Sequence, residues 1–374
     1  MNSLASNDVI VLVHVYDQDD LLEPFVRWYS ELGVRQILAF DLGSTDGTHD
    51  ILSDLALYYP LTWSQLDDLN IRNYSGSTTG DHLAMHARET YAPEWLAMCD
   101  ADEFLCLEGS DFDAILEKAK AESITALSVP CFNMTGRFLG DEDPSISSLT
   151  TRIVQPYAET FEEQLAGDVP VPFIFVKHPV KSIVKSAAFS SYVPGGHGAN
   201  VEYGRRELVD CLRFNHYPMR SYAKFEKKVS NAEQFLRTND HLPDWWAWHW
   251  RRWVNCKAQG QLEDEYRRQF ISGEEQRELV ADGVCVVDES VSTWYQSLED
   301  LLRPAPDPDP LALNTIDGQK LRIAALEAKV EELTRLAKSD ATLIYTQNLV
   351  SSLIALSGSE VETPSGAAVA DKFS

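Results

Sequence analysis

No stretch of the sequence reaches the roughly 18 consecutive apolar residues that a membrane-spanning helix requires. Residues 1–8 carry no basic side chain and no apolar core of the kind a signal peptide needs. The expectation is therefore a cytoplasmic protein, with a station at the inner face of the membrane left open. Cysteine is scarce: Cys99, Cys106, Cys131, Cys211, Cys256 and Cys285 are scattered over 374 residues, with no CxxC pair. That spacing excludes a zinc ribbon and a dithiol redox motif, and reads as free thiols in or near a core. Positive charge is in deficit, with 32 Lys and Arg against 58 Asp and Glu, a net charge of −26. Such a field opposes DNA, RNA and anionic lipid, so no nucleic-acid partner is expected. Internal repeats are lacking too.

The deficit of positive charge is uneven. Residues 171–230 hold ten basic side chains (Lys177, Lys181, Lys185, Arg205, Arg206, Arg213, Arg220, Lys224, Lys227, Lys228) against four acidic ones. A basic island in an acidic chain suits a small polyanion such as a pyrophosphate; a solvated face is the plain alternative.

The hydrophobic share of 44% supports one large folded domain with an appendage. Val9–Val15 (VIVLVHV) is a continuous β-branched run, expected of a strand buried on both faces. Residues 21–32 place Leu21, Leu22, Phe25, Val26, Tyr29 and Leu32 at helical spacing, with Gly33 set to end the helix. Residues 36–40 form a second apolar strand, then a tight polar turn and a helical pattern over 48–58. Further strands are expected at 95–99, 124–130 and 174–176, a loop at 193–198, and helices at 221–236 and 245–266. This βαβ rhythm predicts an α/β fold, a Rossmann-like sheet flanked by helices.

Arg303-Pro-Ala-Pro-Asp-Pro-Asp-Pro is a stiff boundary. It divides a large domain over 1–302 (halves at about 8–130 and 131–302) from a helical segment over 313–356, with the linker at 303–312 and a disordered tail at 357–374. Ile323, Val330 and Ala337, like Leu326 and Leu333, recur every seven residues. That short heptad pattern suits either a packed amphipathic helix or a homo-oligomer through the C-terminal helix.

The strongest chemical signal is Asp100-Ala-Asp-Glu at the end of an apolar strand. Strand alternation would point Asp100 and Asp102 the same way, with Ala101 into the body. Two carboxylates at a strand end suit a hard dication, Mn²⁺ or Mg²⁺. In doubly wound sheets, ligands bind beyond the carboxyl ends of the strands. A second signal is Asp41-Leu-Gly-Ser-Thr-Asp-Gly-Thr: Asp41 sits at a strand end, ready to accept from a base or ribose, and Ser44 or Thr45 could cap the next helix, with Asp46 in its first turn.

Residues 21–34 (LLEPFVRWYSELGV), the Asp41 motif and Trp95-Leu-Ala-Met-Cys-Asp-Ala-Asp-Glu-Phe-Leu together resemble family 2-type glycosyltransferases, close to a bacterial branch sharing features with family 92. The resemblance covers about residues 8–240. It implies a GT-A fold with a C-terminal helical appendage, a nucleoside-diphosphate sugar donor, Mn²⁺ or Mg²⁺, a glycan or other hydroxyl acceptor, and inversion at the anomeric carbon. Carried over, Asp41 and Asp46 contact the nucleotide, Asp100 and Asp102 hold the metal, and His216, or alternatively His197, joins them. Arg220 and Lys224 (with Lys228) follow at helical spacing toward the phosphates. Asp141, Glu142 and Asp143 are candidates for the base that takes the acceptor proton. The chain departs from the family at Leu42, where a polar residue is usual, and at Asp17-Gln18-Asp19, where an Asn-Glu-like pair is usual. Those departures leave a rival reading, a non-catalytic nucleotide-sugar-binding scaffold acting through its C-terminal helix. A nucleotidyltransferase is disfavoured, because no Gly-rich basic loop follows the first strand. Trp245, Trp246, Trp248, Trp250 and Trp253 crowd one stretch, readable as a core helix or as a sugar-stacking platform.

Overall fold

The computed structural model describes residues 8–65, 76–109, 112–138, 144–165, 170–193, 196–243 and 247–302. The chain divides into Met1–Asp300 and Leu301–Ser374. The Pro-rich linker, heptad segment and tail lie outside the described residues, as do Asp141, Glu142, Asp143, Trp245 and Trp246.

The first half is built of β1 (Val9–Val15), α1 (Leu22–Glu31), β2 (Gln36–Asp41), α2 (Thr48–Leu55), β3 (Leu61–Gln65), α3 (Gly76–Tyr91), β4 (Trp95–Asp100), β5 (Glu103–Leu107), α4 (Phe112–Ala121), β6 (Ile124–Val129) and β7 (Cys131–Thr135). The second half adds β8 (Thr151–Ile153), α5 (Phe161–Gln164), β9 (Lys181–Lys185), β10 (Phe189–Tyr192), β11 (Ala199–Val201), β12 (Arg205–Leu208) and β13 (Leu212–His216). It ends in α6 (Tyr222–Thr238), α7 (Trp248–Ala258), α8 (Leu262–Arg267), α9 (Gly273–Ala281), β14 (Cys285–Val287) and α10 (Ser290–Leu302).

The main sheet has the order β12-β6-β9-β4-β1-β2-β3, and a second sheet runs β14-β8-β7-β13-β5. Strands β3, β2, β1 and β4 are parallel, while β9 is antiparallel to both β4 and β6. The fold is thus mixed α/β, with parallel and antiparallel sheets flanked by helices. Val9–Val15 is a central strand because it buries apolar side chains on both faces. On one face Leu83, Ala84 and Ala87 of α3 pack on Ile10, Leu12, Leu96 and Met98. Gly80 lets α3 approach this closely, since a Cβ there would lie 2.8 Å from the Met98 sulfur. Helix α1 is tied to β5 instead: Trp28 Nε1 donates to the Leu105 carbonyl at 3.0 Å, Tyr29 Oη donates to the Glu103 carbonyl at 2.9 Å, and Tyr29 Oη accepts from the Leu105 amide at 3.1 Å. The six cysteines are free, and none is exposed. Among the described residues no helix is long and apolar enough to cross a membrane.

Four expectations need correction. Residues 173–175 form a single 3₁₀ turn rather than a strand, joined to a neighbour by one isolated bridge between Val176 and Ala158. The helix expected over 245–266 is two, α7 and α8, because Gly260 takes a left-handed φ of 70° between them. β4 stops at Asp100, so Asp102 stands in the turn into β5 and strand alternation does not set its direction. Finally, neither Ser44 nor Thr45 caps α2, and Asp46 stands before its first turn rather than in it: the N-cap is Gly47, without a side-chain cap, and Asp46 Oδ1 accepts from the Thr48 amide at 2.9 Å.

Tyr29→Phe removes both bonds of a buried hydroxyl and leaves the Leu105 amide unpaired. We expect a loss of about 1–3 kcal/mol in urea unfolding; a change within about 0.5 kcal/mol would mean that this clamp between α1 and β5 carries no weight.

Candidate active site

The carboxyl ends of β1, β2 and β4 meet the start of β5 and the end of β13. Asp100 closes β4, and half of its side chain (46%) is exposed. Asp102 and Glu103 follow in the turn and the first strand position, both buried. Residue for residue, β13 pairs antiparallel with β5, which sets His216 opposite Glu103. The Tyr217 amide then donates to the Asp102 carbonyl at 2.8 Å, fixing the turn.

His216 is locked from behind. Its Nδ1 lies 2.8 Å from Asn133 Oδ1, while Asn133 Nδ2 donates to the carbonyls of Ile174 and Val176 at 3.1 Å each. Because the Asn133 amide nitrogen is committed to carbonyls, its oxygen must accept, so the neutral His216 ring carries its proton on Nδ1. Nε2 is then a lone pair, and it faces Asp102 Oδ2 at 3.6 Å. Two acceptors facing each other over this gap offer one carboxylate oxygen and one imidazole nitrogen, donor types that Mn²⁺ accepts. Around the same Asp102 oxygen stand Lys228 Nζ at 3.6 Å and Arg220 Nη1 at 3.7 Å. Burial alone would raise the Asp102 carboxyl, but the His216 ring in its protonated form, and then Lys228 and Arg220, hold it well below the usual range.

Asp100 is organised differently. The fully buried Lys181 puts Nζ 2.8 Å from Asp100 Oδ2 and 3.0 Å from Glu103 Oε2. Glu103 Oε2 also accepts the Asp100 amide at 2.9 Å. Burial would raise Asp100, and Lys181 outweighs it, holding the carboxyl low. Glu103 ends higher, pushed up to about 7 by burial that Lys181 only partly offsets. Glu103, Cys131 and His178 also bring one ligand atom each to within 4.8 Å of one another. Lys181 already supplies the cation for that carboxylate, and Cys131 is held well above the usual thiol range by burial. His178 and His197 complete this wall. Their rings stand 5.3 Å apart, burial pushes both down, and His197 reaches about 3. His197 Nδ1 is buried without a hydrogen-bond partner.

Of the remaining predicted residues, Asp41 ends β2, Asp46 lies on the loop after it, Arg220 follows β13 and Lys224 stands in the first turn of α6. Asp41 Oδ1 accepts from the Ser44 amide at 2.9 Å and the Ser44 hydroxyl at 2.7 Å, whereas Oδ2 is buried without a partner. A buried carboxylate oxygen lacking a donor is costly unless a ligand supplies one. Asp46 is committed to Thr48 and to Lys224 Nζ at 3.3 Å. Lys224 also pairs with Asp19, and Arg220 Nε binds Asp20 Oδ2 at 2.6 Å. Asp17, in a left-handed conformation with φ 54°, accepts from the Thr45 amide at 2.7 Å and from Asn231 Nδ2 at 2.8 Å. Asp102, His216 and Arg220 therefore gather beside Asp100 at the end of β4, and Asp41 ends β2 two strands away in the same sheet. Asp46 and Lys224 serve in the network that binds the loops after β1 and β2 to α6. Sequence reasoning missed Glu103, Asn133 and His178, and gave Lys181 no role of its own.

No family model matches the chain, nor does any curated protein sequence. Among solved structures, S. aureus TarS aligns over 68% of this chain and 43% of its own, at 13% identity and TM-score 0.31. TarS 1–349 in complex with UDP-GlcNAc aligns over 91% and 87%, at 12% identity and TM-score 0.33. Glucosyl-3-phosphoglycerate synthase from Mycobacterium tuberculosis, in complex with Mn²⁺, UDP-glucose and phosphoglyceric acid, aligns over 64% and 82%, at 15% identity and TM-score 0.31. The chain thus spans less than half the length of the full TarS chain.

The His216 tautomer is directly testable. Long-range ¹H–¹⁵N spectra of the metal-free protein should show the neutral ring protonated at Nδ1. A ring protonated at Nε2 would show that Asn133 does not set it.

Proposed function

We propose that the chain is a metal-dependent glycosyltransferase that moves a sugar from a nucleoside-diphosphate donor to an acceptor hydroxyl, with inversion. The observation that carries this reading is the His216 lone-pair nitrogen, locked by Asn133 and aimed at Asp102 Oδ2 3.6 Å away, with Asp100 adjacent. Asp100, Asp102 and His216 would hold Mn²⁺ or Mg²⁺, with His197 the alternative imidazole. Such an ion neutralises negative charge developing on a leaving diphosphate. Asp41 Oδ2 accepts from the base or ribose. Arg220 and Lys228, both within 3.7 Å of Asp102, offer charge-assisted donors to phosphate oxygens. For the base we retain Asp141, Glu142 and Asp143, which lie outside the described residues.

For the acceptor we assign the cavity of about 460 Å³ between α7, α8 and Pro170, lined by Trp248, Asn255, Gln259 and Asp264. The Phe173 ring supports this placement, lying 6.5 Å from both the Trp248 and the His216 rings. An aromatic face with amide and carboxylate groups suits a hydroxyl-rich sugar. The non-catalytic scaffold remains a second reading because Lys181 already neutralises Asp100.

Calorimetry should find nucleoside diphosphate bound only with Mn²⁺ or Mg²⁺, and Asp102→Ala should abolish it. Equal, metal-free binding by the mutant would remove the metal from the proposal. Thermal stabilisation by UDP-, GDP- and dTDP-sugars with Mn²⁺ would identify the donor. Asp41→Asn keeps the turn acceptor and should weaken nucleotide affinity about tenfold, the worth of one charge-assisted hydrogen bond; an unchanged Kd would exclude Asp41 from nucleotide contact.

A further inference from the structure

Lys181 is fully buried, yet its partner Asp100 is half exposed. Strand β9 runs antiparallel between β4 and β6, with Leu96 opposite Val184 and Ala97 opposite Ile183. This register carries Lys181 to the end of β4 where Asp100 stands. There Nζ takes Asp100 Oδ2 at 2.8 Å and Glu103 Oε2 at 3.0 Å, while Glu103 accepts the Asp100 backbone amide. Both the carboxylate and the peptide of Asp100 are thus tied to one buried ion pair. Lys185, on the same face at the far end of β9, instead lies over the Trp95 ring.

We propose that Lys181 is a positioning residue that keeps the acidic pair from loading a bare divalent ion, so that the ion and the diphosphate bind together. The inference rests on the metal-dependent reading above. One oxygen of Asp100 is engaged by the ammonium, and the fixed positive charge stays within a few ångströms of any cation that uses the other. A dication arriving alone meets that repulsion uncompensated. A dication arriving with a diphosphate does not, because the phosphate charges offset it. By linkage, an ion that binds poorly without nucleotide must also tighten nucleotide binding by the same factor.

The experiment measures free Mn²⁺ by electron paramagnetic resonance during titration of the full-length protein, with and without UDP. The wild type should bind Mn²⁺ at least about tenfold more tightly when UDP is present, a coupling of ordinary size. Lys181→Met should raise the affinity for Mn²⁺ alone by about tenfold and shrink the coupling with UDP. Because that variant leaves Glu103 buried without its counter-charge, K181M/E103Q is measured beside it and should behave alike. E103Q alone retains the ammonium with less compensation and should weaken Mn²⁺ binding. Lys185→Met, which changes net charge equally, should leave Mn²⁺ affinity unchanged. Wild-type protein that binds Mn²⁺ as tightly without UDP as with it would overturn the proposal, whichever variants fold. So would a folded K181M or K181M/E103Q with wild-type Mn²⁺ affinity. UDP binding indifferent to Mn²⁺ in the wild type would instead overturn the metal-dependent reading itself.

Discussion

Three consecutive-turn carboxylates, Asp100, Asp102 and Glu103, meet where the two sheets diverge, and the rest of the unit is arranged around neutralising them. Desolvating even one such group without a partner costs several kcal/mol. The counter-charges come from remote parts of the chain: Lys181 from β9, Arg220 from the turn after β13, and Lys228 from α6. The first half of the unit creates the charge, and the second half folds back to hold it. This explains why an antiparallel strand is inserted next to β4 in an otherwise parallel set. Only a strand entering from that direction begins at the carboxyl end of β4, with its first residue beside Asp100.

The two halves were unequally legible for the same reason. Val9–Val15 and Trp95–Asp100 announce themselves as local apolar runs, and Gly33, at φ 79°, ends α1 where its position predicts. Those signals depend on neighbours in sequence. Lys181–Lys185 starts and ends in lysine, so nothing local marks it as an interior strand, and Lys is almost never fully buried unless paired. Its partners lie about 80 positions upstream, beyond any window of periodicity. Glu103 was hidden by the same logic, as a charged residue whose burial depends on a distant ammonium. The carboxylates of the Asp100 motif could be read from sequence, but their relative direction could not, because the turn at Ala101 replaces the strand on which alternation would act.

His216 illustrates what a motif alone leaves out. The ring is useful to a cation only if the correct nitrogen is free, and Asn133 decides that from 83 positions away. Asn133 can do so because its own amide is oriented by the carbonyls of Ile174 and Val176. The 3₁₀ turn over 173–175 is what aims those carbonyls inward, so replacing the expected strand by a turn has a chemical consequence. Phe173 in the same turn packs its ring between His216, Trp248 and Trp253. Trp253 is buried, which makes α7 a core helix along that side, whereas Trp248 lines the neighbouring cavity. Of the two readings of the tryptophan-rich stretch, the core helix holds for Trp253, and the sugar platform belongs with the proposed acceptor cavity at Trp248.

The overall charge of −26 and the basic window are reconciled by where the cations go. Several never face the cleft: Lys177 pairs with Glu159, Arg205 with Glu122 and Arg213 with Asp288. Five more sit opposite acidic side chains, Lys224 against Asp19 and Asp46, Lys227 against Asp17, Arg220 against Asp20, Lys228 against Asp102 and Lys181 against Asp100, while Arg206 bonds Ser182 and Lys185 lies over the Trp95 ring. Prepaired cations of this kind attract an anion weakly at long range, where each pair is nearly neutral. At contact they are strong, because a phosphate oxygen can take over a donor whose position is already fixed. Cations arranged in this way can discriminate only at short range, because the acidic excess of the chain repels anions from afar.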